Sequence, residues 1–260
     1  MEAASIKQPF NWRALGYLIL FMVSFIFGLQ LVNNAFNLKI PENDIPGMAE
    51  NLLVSVLLLF FSKDIRAQFM IHLHKRNIVI GMSLGICFGL LDLVLSYGYQ
   101  FAPYIFGHAP IPVGSHQVTY DDTITRTGLL LSVGIPAIYE EILARFLPYA
   151  GLFVYLKRRI ENVNNKSKII NRFEKNLYQK LFIEDNKRYK WMWLFVTAFL
   201  FSAAHGLSLI SLPLYFFSGI FCGFLFLRYG YLSAVMAHLT FNVLSSPAQD
   251  YFIKIIHQLT

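Results

Sequence analysis

Apolar runs of about bilayer length recur along this sequence, and they restrict the fold more than any other feature. Stretches close to the roughly 20 residues that cross a hydrocarbon core lie at 14–32, 78–99, 129–156, 191–210, 212–227 and 231–244. A weaker run at 48–62 carries Glu50 and Asn51 near its start, which leaves a tilted, re-entrant or earlier-starting element open. The shift is global: 56% of residues are hydrophobic and 14% charged, against about 45–50% and 25% in an ordinary soluble domain. The expectation is an all-α fold, a polytopic transmembrane helical bundle of about seven spans, within a range of six to eight.

Lys and Arg collect in two stretches, 63–76 (Lys63, Arg66, Lys75, Arg76) and 157–190 (Lys157, Arg158, Arg159, Lys187, Arg188, Lys190), which the positive-inside rule assigns to the cytoplasm. With Lys7 and Arg13 also inside, seven crossings leave Tyr120, Asp121 and Asp122 outside. This predicts an integral, multi-pass protein of a bacterial-type plasma (inner) membrane with a cytoplasmic N-terminus. The formal charge of +7 then belongs to topology and to anionic lipid headgroups, and nucleic acid is excluded as a partner because no base-reading module accompanies it.

The spans follow one another too closely for a separate soluble domain, so residues 1–260 read as a single membrane domain. The first apolar run lacks a small-x-small cleavage site after Phe27 and reads as an uncleaved helix. In the basic stretch 157–190, Ile170, Phe173, Leu177 and Leu181 recur at helical spacing among Arg172, Lys175 and Lys180, which predicts an interfacial helix. The stretch 103–125, rich in Pro and Gly and carrying His108 and His116, reads as an irregular outer loop. Cys87 and Cys222 both fall within predicted spans, which rules out a disulfide framework or a Cys-rich metal site.

Against this apolar background five polar residues stand out: Glu140, Glu141, His205, His238 and Asn242 all lie inside predicted spans. A charge at the bilayer centre costs at least about 2.5–3.5 kcal/mol on insertion scales, so such groups mark function by default. Glu141 and Arg145 are spaced i,i+4 and can pair on one helix face, while Glu140, about 100° around the helix, is free to face the bundle. His238 and Asn242 share a face one turn apart, and Ala203, Ala204 and Gly206 keep the surroundings of His205 small. With Glu140 mid-span, His205 past the middle of its helix and His238 midway along its own, the groups are expected to converge at one depth. Asp92 is also intramembrane but has no motif around it, and is assigned to packing or cavity polarity. Tyr139, Phe201 and Phe241 are read as packing residues that shape the site.

The ordered set Glu-Glu-x-x-x-Arg (Glu140, Glu141, Arg145), Phe-x-x-x-His (Phe201, His205) and His-x-x-x-Asn (His238, Asn242) resembles the CAAX protease and bacteriocin-processing family of intramembrane endopeptidases, also called CPBP or Abi. The resemblance covers about 127–246. It implies an endopeptidase that hydrolyses a peptide bond in a membrane-associated peptide or protein, lipidated or not. In that scheme Glu140 and His205 activate a water, His238 and Asn242 hold the oxyanion, and Glu141 and Arg145 support the site. A desolvated carboxylate is a stronger base, and an uncharged amide donor in a dry site suits a developing oxyanion.

No metal is expected, because no His-Glu-x-x-His helix is present and Glu141 is committed to Arg145. Zn²⁺ held by Glu140, His205 and His238 stands as the alternative, the family often being labelled a metalloprotease. Two other classes compete. A transporter should show repeated halves or matched helix breaks, and neither is evident. A non-proteolytic scaffold or bacteriocin-immunity-type binding protein of the same family is the closer rival.

Overall fold

The computed structural model describes residues 12–41, 44–60, 62–74, 77–111, 125–161, 168–206 and 211–259. Within them the chain forms helices α1 (Trp12–Ala35), α2 (Asp44–Phe60), α3 (Lys63–Leu73), α4 (Ile78–Ile105), α5 (Arg126–Glu141), α6 (Leu147–Glu161), α7 (Lys168–Tyr178), α8 (Lys187–Ala204), α9 (Ser211–Tyr229) and α10 (Tyr231–Leu259). Helices are what the apolar runs demand, because hydrocarbon offers no partner to an unpaired backbone N–H or C=O. Large apolar side chains on the outer faces of α4 (Val79, Ile86, Leu90, Val94) and α8 (Met192, Val196, Phe199, Leu200) are exposed, as suits helices solvated by lipid.

The longest packed face joins α4 to α10. Gly81, Gly85 and Gly89 face Ser233, Ala237 and Thr240 in ascending order, so the two helices run parallel. Further along, the Tyr97 hydroxyl donates to the Ser245 carbonyl at 2.6 Å, and Phe101 stacks on Phe252 at 6.2 Å. A Cβ at position 85 would lie 2.5 Å from the Ser233 carbonyl oxygen, and one at 89 equally close to that of Ala237. Glycine therefore lets the backbones touch, the close approach on which helix association in lipid relies. Gly-x-x-x-Gly-x-x-x-Gly is written in the sequence at 81–89, a signal that a reading of this run as hydrophobicity alone passes over.

Helices α8 and α9 form an antiparallel hairpin whose register is set the same way, Gly219 lying against Ala198 and Gly223 against Leu194. The principal core unites Ile142, Phe146, Leu194, Cys222, Phe226 and Ala234. The His72 ring of α3 stacks on Phe226 within it, 4.9 Å away and 5° from parallel. At its other end α5 is capped by Thr125, whose hydroxyl accepts from the Gly128 N–H at 3.1 Å and donates to the Leu38 carbonyl at 3.0 Å. That bond ties α5 to the α1–α2 connection.

The all-α helical bundle is as expected. Among the described residues three helical stretches are long and apolar enough to cross a membrane (Ile78–Ile105, Arg126–Glu161, Ser211–Tyr229), or four if α2 and α3, bent by 106°, make one broken span. The expected count of about seven is not reached by this measure. Helix α8 opens with Lys187, Arg188 and Lys190, and α10 interrupts its apolar run with Ser233, His238, Thr240, Asn242 and Ser245. The weak run at 48–62 takes the earlier start left open above, its helix beginning at Asp44. In the basic stretch, Leu181 is buried, Leu177 packs on the core and Phe173 is exposed, while Arg159 pairs with Glu174 at 3.0 Å and holds α7 to α6. The Ile170 side chain, Lys7, Lys75, Arg76, His116 and Tyr120–Asp122 lie outside the described residues.

Candidate active site

Helix α5 reaches Glu140 and Glu141 as an α-helix and then widens into a π-helical turn, Ile142–Phe146, before α6 continues. Such turns recur at functional sites, because the extra residue per turn re-aims the side chains around it. The two carboxylates end up in different worlds. Glu141 and Arg145 are both 0% exposed and pair at 3.5 Å, Oε2 to Nε. The Arg145 guanidinium lies 4.1 Å over the Phe201 ring, and its two terminal nitrogens make no hydrogen bond among the described residues. Glu140 keeps 26% of its side chain accessible and faces both histidines.

His238 of α10 sits between the two glutamates. Its Nδ1 is 2.9 Å from Glu141 Oε1 and its Nε2 is 3.6 Å from Glu140 Oε2. Because Glu141 is the ion-pair partner of Arg145, it is the acceptor and His238 Nδ1–H the donor. The Glu141–His238 contact was not expected from the sequence, where Glu141 was matched to Arg145 alone. An i,i+4 pattern identifies partners on one helix and is blind to a partner 97 residues away.

His205 is not inside a helix, and this corrects the sequence expectation. Helix α8 ends at Ala204, with His205 as its C-cap and Gly206 in the left-handed region at φ +125°. The predicted span 191–210 ran on because its apolar residues carry no stop signal beyond that glycine. The His205 imidazole donates from Nδ1 to the Phe201 carbonyl at 2.9 Å, since a carbonyl can only accept, and this directs Nε2 to Glu140 Oε2 at 3.9 Å. His205 is 21% and His238 11% exposed, so both reach the same accessible space as Glu140.

Asn242 lies one turn beyond His238, its Nδ2 donating to the Val133 carbonyl of α5 at 3.4 Å. The Tyr231 hydroxyl donates to the Ile138 carbonyl at 2.8 Å, a second tie between α10 and the glutamate helix. Helices α5, α8 and α10 thus bring Glu140, His205 and His238 together, with Glu141 and Arg145 buried behind them and Asn242 alongside. Asp92 is buried on α4, hydrogen-bonded to Ser218 and within electrostatic reach of His238. The sequence reading gave no role to Tyr215 of α9, whose ring stacks on His205 at 4.3 Å.

Among the described residues no set of three His, Cys, Asp or Glu side chains meets the geometry of a metal centre. The two gaps from Glu140 Oε2 to the imidazole Nε2 atoms, 3.9 and 3.6 Å, exceed a direct hydrogen bond.

The fold and site define a class: a helical membrane protein with an intramembrane constellation of paired glutamates, two histidines and an asparagine. Residues 124–244 match the family model described as Type II CAAX prenyl endopeptidase Rce1-like, a segment just under half of the chain that contains every one of these groups. Over that segment the chain is similar to that family, a likeness that supports, in general terms, a CAAX-type intramembrane endopeptidase acting on a protein or peptide. Comparison with curated proteins and with solved structures finds no match.

Proposed function

We propose that the protein hydrolyses a peptide bond with a water activated by Glu140 and His205 and an oxyanion held by His238 and Asn242. The observation that carries this reading is the common target of the imidazoles, both of which point Nε2 at Glu140 Oε2, 3.9 Å from His205 and 3.6 Å from His238. With Nδ1–H given to Phe201, a neutral His205 offers an Nε2 lone pair to the water. Glu140 and His205 together take its proton as its oxygen attacks the carbonyl carbon, and the proton passes to the amine as the C–N bond breaks.

His238 has the opposite polarity. With Nδ1–H donated to Glu141, a donor at Nε2 requires the doubly protonated ring, which here lies between the Glu141 and Glu140 carboxylates. In that form Nε2–H and the Asn242 amide supply the donors that an oxyanion needs, each worth about 2.7–4 kcal/mol in a dry site. One imidazole therefore accepts and the other donates, a division set by what each Nδ1 touches. The reaction is written without a metal because Glu141 is committed to Arg145 and His238; Zn²⁺ held by Glu140, His205 and His238 is the alternative that chelation tests.

The substrate is a membrane-associated peptide or protein, and the prenylated members of the library below test whether it must carry a lipid. The protein resides in the plasma membrane with a cytoplasmic N-terminus, a reading that rests on the basic stretches 63–76 and 157–190. The decisive experiment is turnover of a quenched fluorescent peptide library, with prenylated members, by detergent-solubilised protein beside Glu140→Ala, with and without a zinc chelator. Cleavage lost in the variant and kept under chelation is expected. Loss under chelation as well would transfer the mechanism to Zn²⁺, and no cleavage by folded wild type would favour a binding or immunity role.

A further inference from the structure

The catalytic scheme depends on His205, yet His205 stands where a helix holds a side chain least, on the C-cap residue with a left-handed glycine after it. Its ring is nonetheless enclosed. Phe201 contacts one side at 4.4 Å and 54°, and the Tyr215 ring covers a face at 4.3 Å and only 20° from parallel. Tyr215 arrives from the second turn of α9, and its place is fixed by the hairpin register. Gly223 against Leu194 and Gly219 against Ala198 bring position 215 opposite Phe201, where the rings meet at 6.4 Å and 71°. The Ser202 hydroxyl, donating to the Leu212 carbonyl at 2.6 Å, closes the same corner.

We propose that Tyr215 is a positioning residue for His205, its ring clamping the imidazole so that Nε2 stays directed at Glu140. This rests on the proposed protease reading for its kinetic consequence, though the geometry it describes does not. A stacked tyrosine face also suits the cation that His205 becomes when it takes a proton from water, an attraction that flat aromatic faces offer to positive charge. The ring, rather than the hydroxyl, is the working part.

Three variants test this: Tyr215→Phe keeps the ring, while Tyr215→Leu and Tyr215→Met remove it and retain bulk. In the ring-less variants kcat should fall about three- to thirtyfold, as expected for losing a cation-facing stack, with KM within about twofold of wild type. Tyr215→Phe should stay within about twofold in both constants. The second readout needs no turnover: the rate of diethyl pyrocarbonate modification of His205, followed by peptide mass spectrometry, should rise in the ring-less variants and remain at the wild-type level in Tyr215→Phe. Unchanged kcat and modification in Leu and Met variants that melt like wild type would overturn the proposal. So would a loss in Tyr215→Phe equal to that in Tyr215→Leu, which would assign the role to the hydroxyl. Should the wild type hydrolyse no peptide at all, the protease reading falls while the modification rates still decide the clamp.

Discussion

The Glu141–Arg145 pair makes an asymmetric prediction. Both side chains are 0% exposed, but their alternatives differ. Without Arg145, Glu141 retains His238 at 2.9 Å. Without the Glu141 charge, Arg145 retains only the Phe201 ring at 4.1 Å, its terminal nitrogens already lacking partners among the described residues. Breaking a buried pair from one side costs about 3–5 kcal/mol, because the survivor stays charged and dry. Glu141→Gln, which preserves an acceptor for His238, should therefore sit at the full cost. At about 2–4 °C per kcal/mol for a chain of a few hundred residues, its melting temperature should drop by about 6–20 °C. Arg145→Met should cost distinctly less, and Glu141→Gln/Arg145→Met should be more stable than Glu141→Gln alone. Thermal unfolding of the detergent-solubilised variants, followed by cysteine-reactive dye or size-exclusion recovery, measures all three. A Glu141→Gln shift under 2 °C, or a double variant less stable than both singles, would refute the idea that Arg145 depends on Glu141 for its charge balance.

Other outcomes follow from the same geometry. Glu140→Gln should reduce turnover by at least about 10²-fold with little change in melting temperature, since Glu140 is partly exposed and, among the described residues, has no ion pair at 3.5 Å or less; a cleavage assay beside a melting curve separates the two. Asn242→Ala should lower kcat by about 10²–10³-fold if its amide serves the oxyanion, and a loss under threefold would remove it from that role. Gly85→Ala should destabilise by about 1–3 kcal/mol, its Cβ landing 2.5 Å from the Ser233 carbonyl oxygen, whereas Gly98→Ala on the same helix meets nothing within 4 Å and should be neutral or slightly stabilising in the same melt.

Much of the site was legible because intramembrane polarity is so costly that each exception stands out. Glu140, His205, His238, Asn242 and the Glu141–Arg145 pair could all be named from the apolar runs that surround them. What the sequence hides is relation across helices. Glu141 bridging to His238, and Tyr215 lying on His205, are contacts between elements far apart in the chain, and no periodicity on one helix encodes them. Helix ends were hidden for a related reason. The run through His205 stays apolar beyond the point where Gly206 turns the backbone, so hydrophobicity alone placed His205 inside a helix that stops one residue before it. The fold class was plain throughout, whereas the glycine ladder on α4 was visible in the sequence but acquired meaning only with its partner α10.

That ladder also bears on how the molecule comes into being. Helix α4 leaves the ribosome more than a hundred residues before α10 begins, and at about 5–20 residues per second its glycine face waits for a time of order ten seconds. During that interval the nascent chain already carries Glu140 and later His205, but neither His238 nor Asn242. Helix α10, made after α4, α5 and α8, is the one that slots into α4 and delivers both missing groups, so the constellation is complete only after residues 231–242 have emerged. A hydrolase assembled in this order has no complete site with which to cut its own emerging chain.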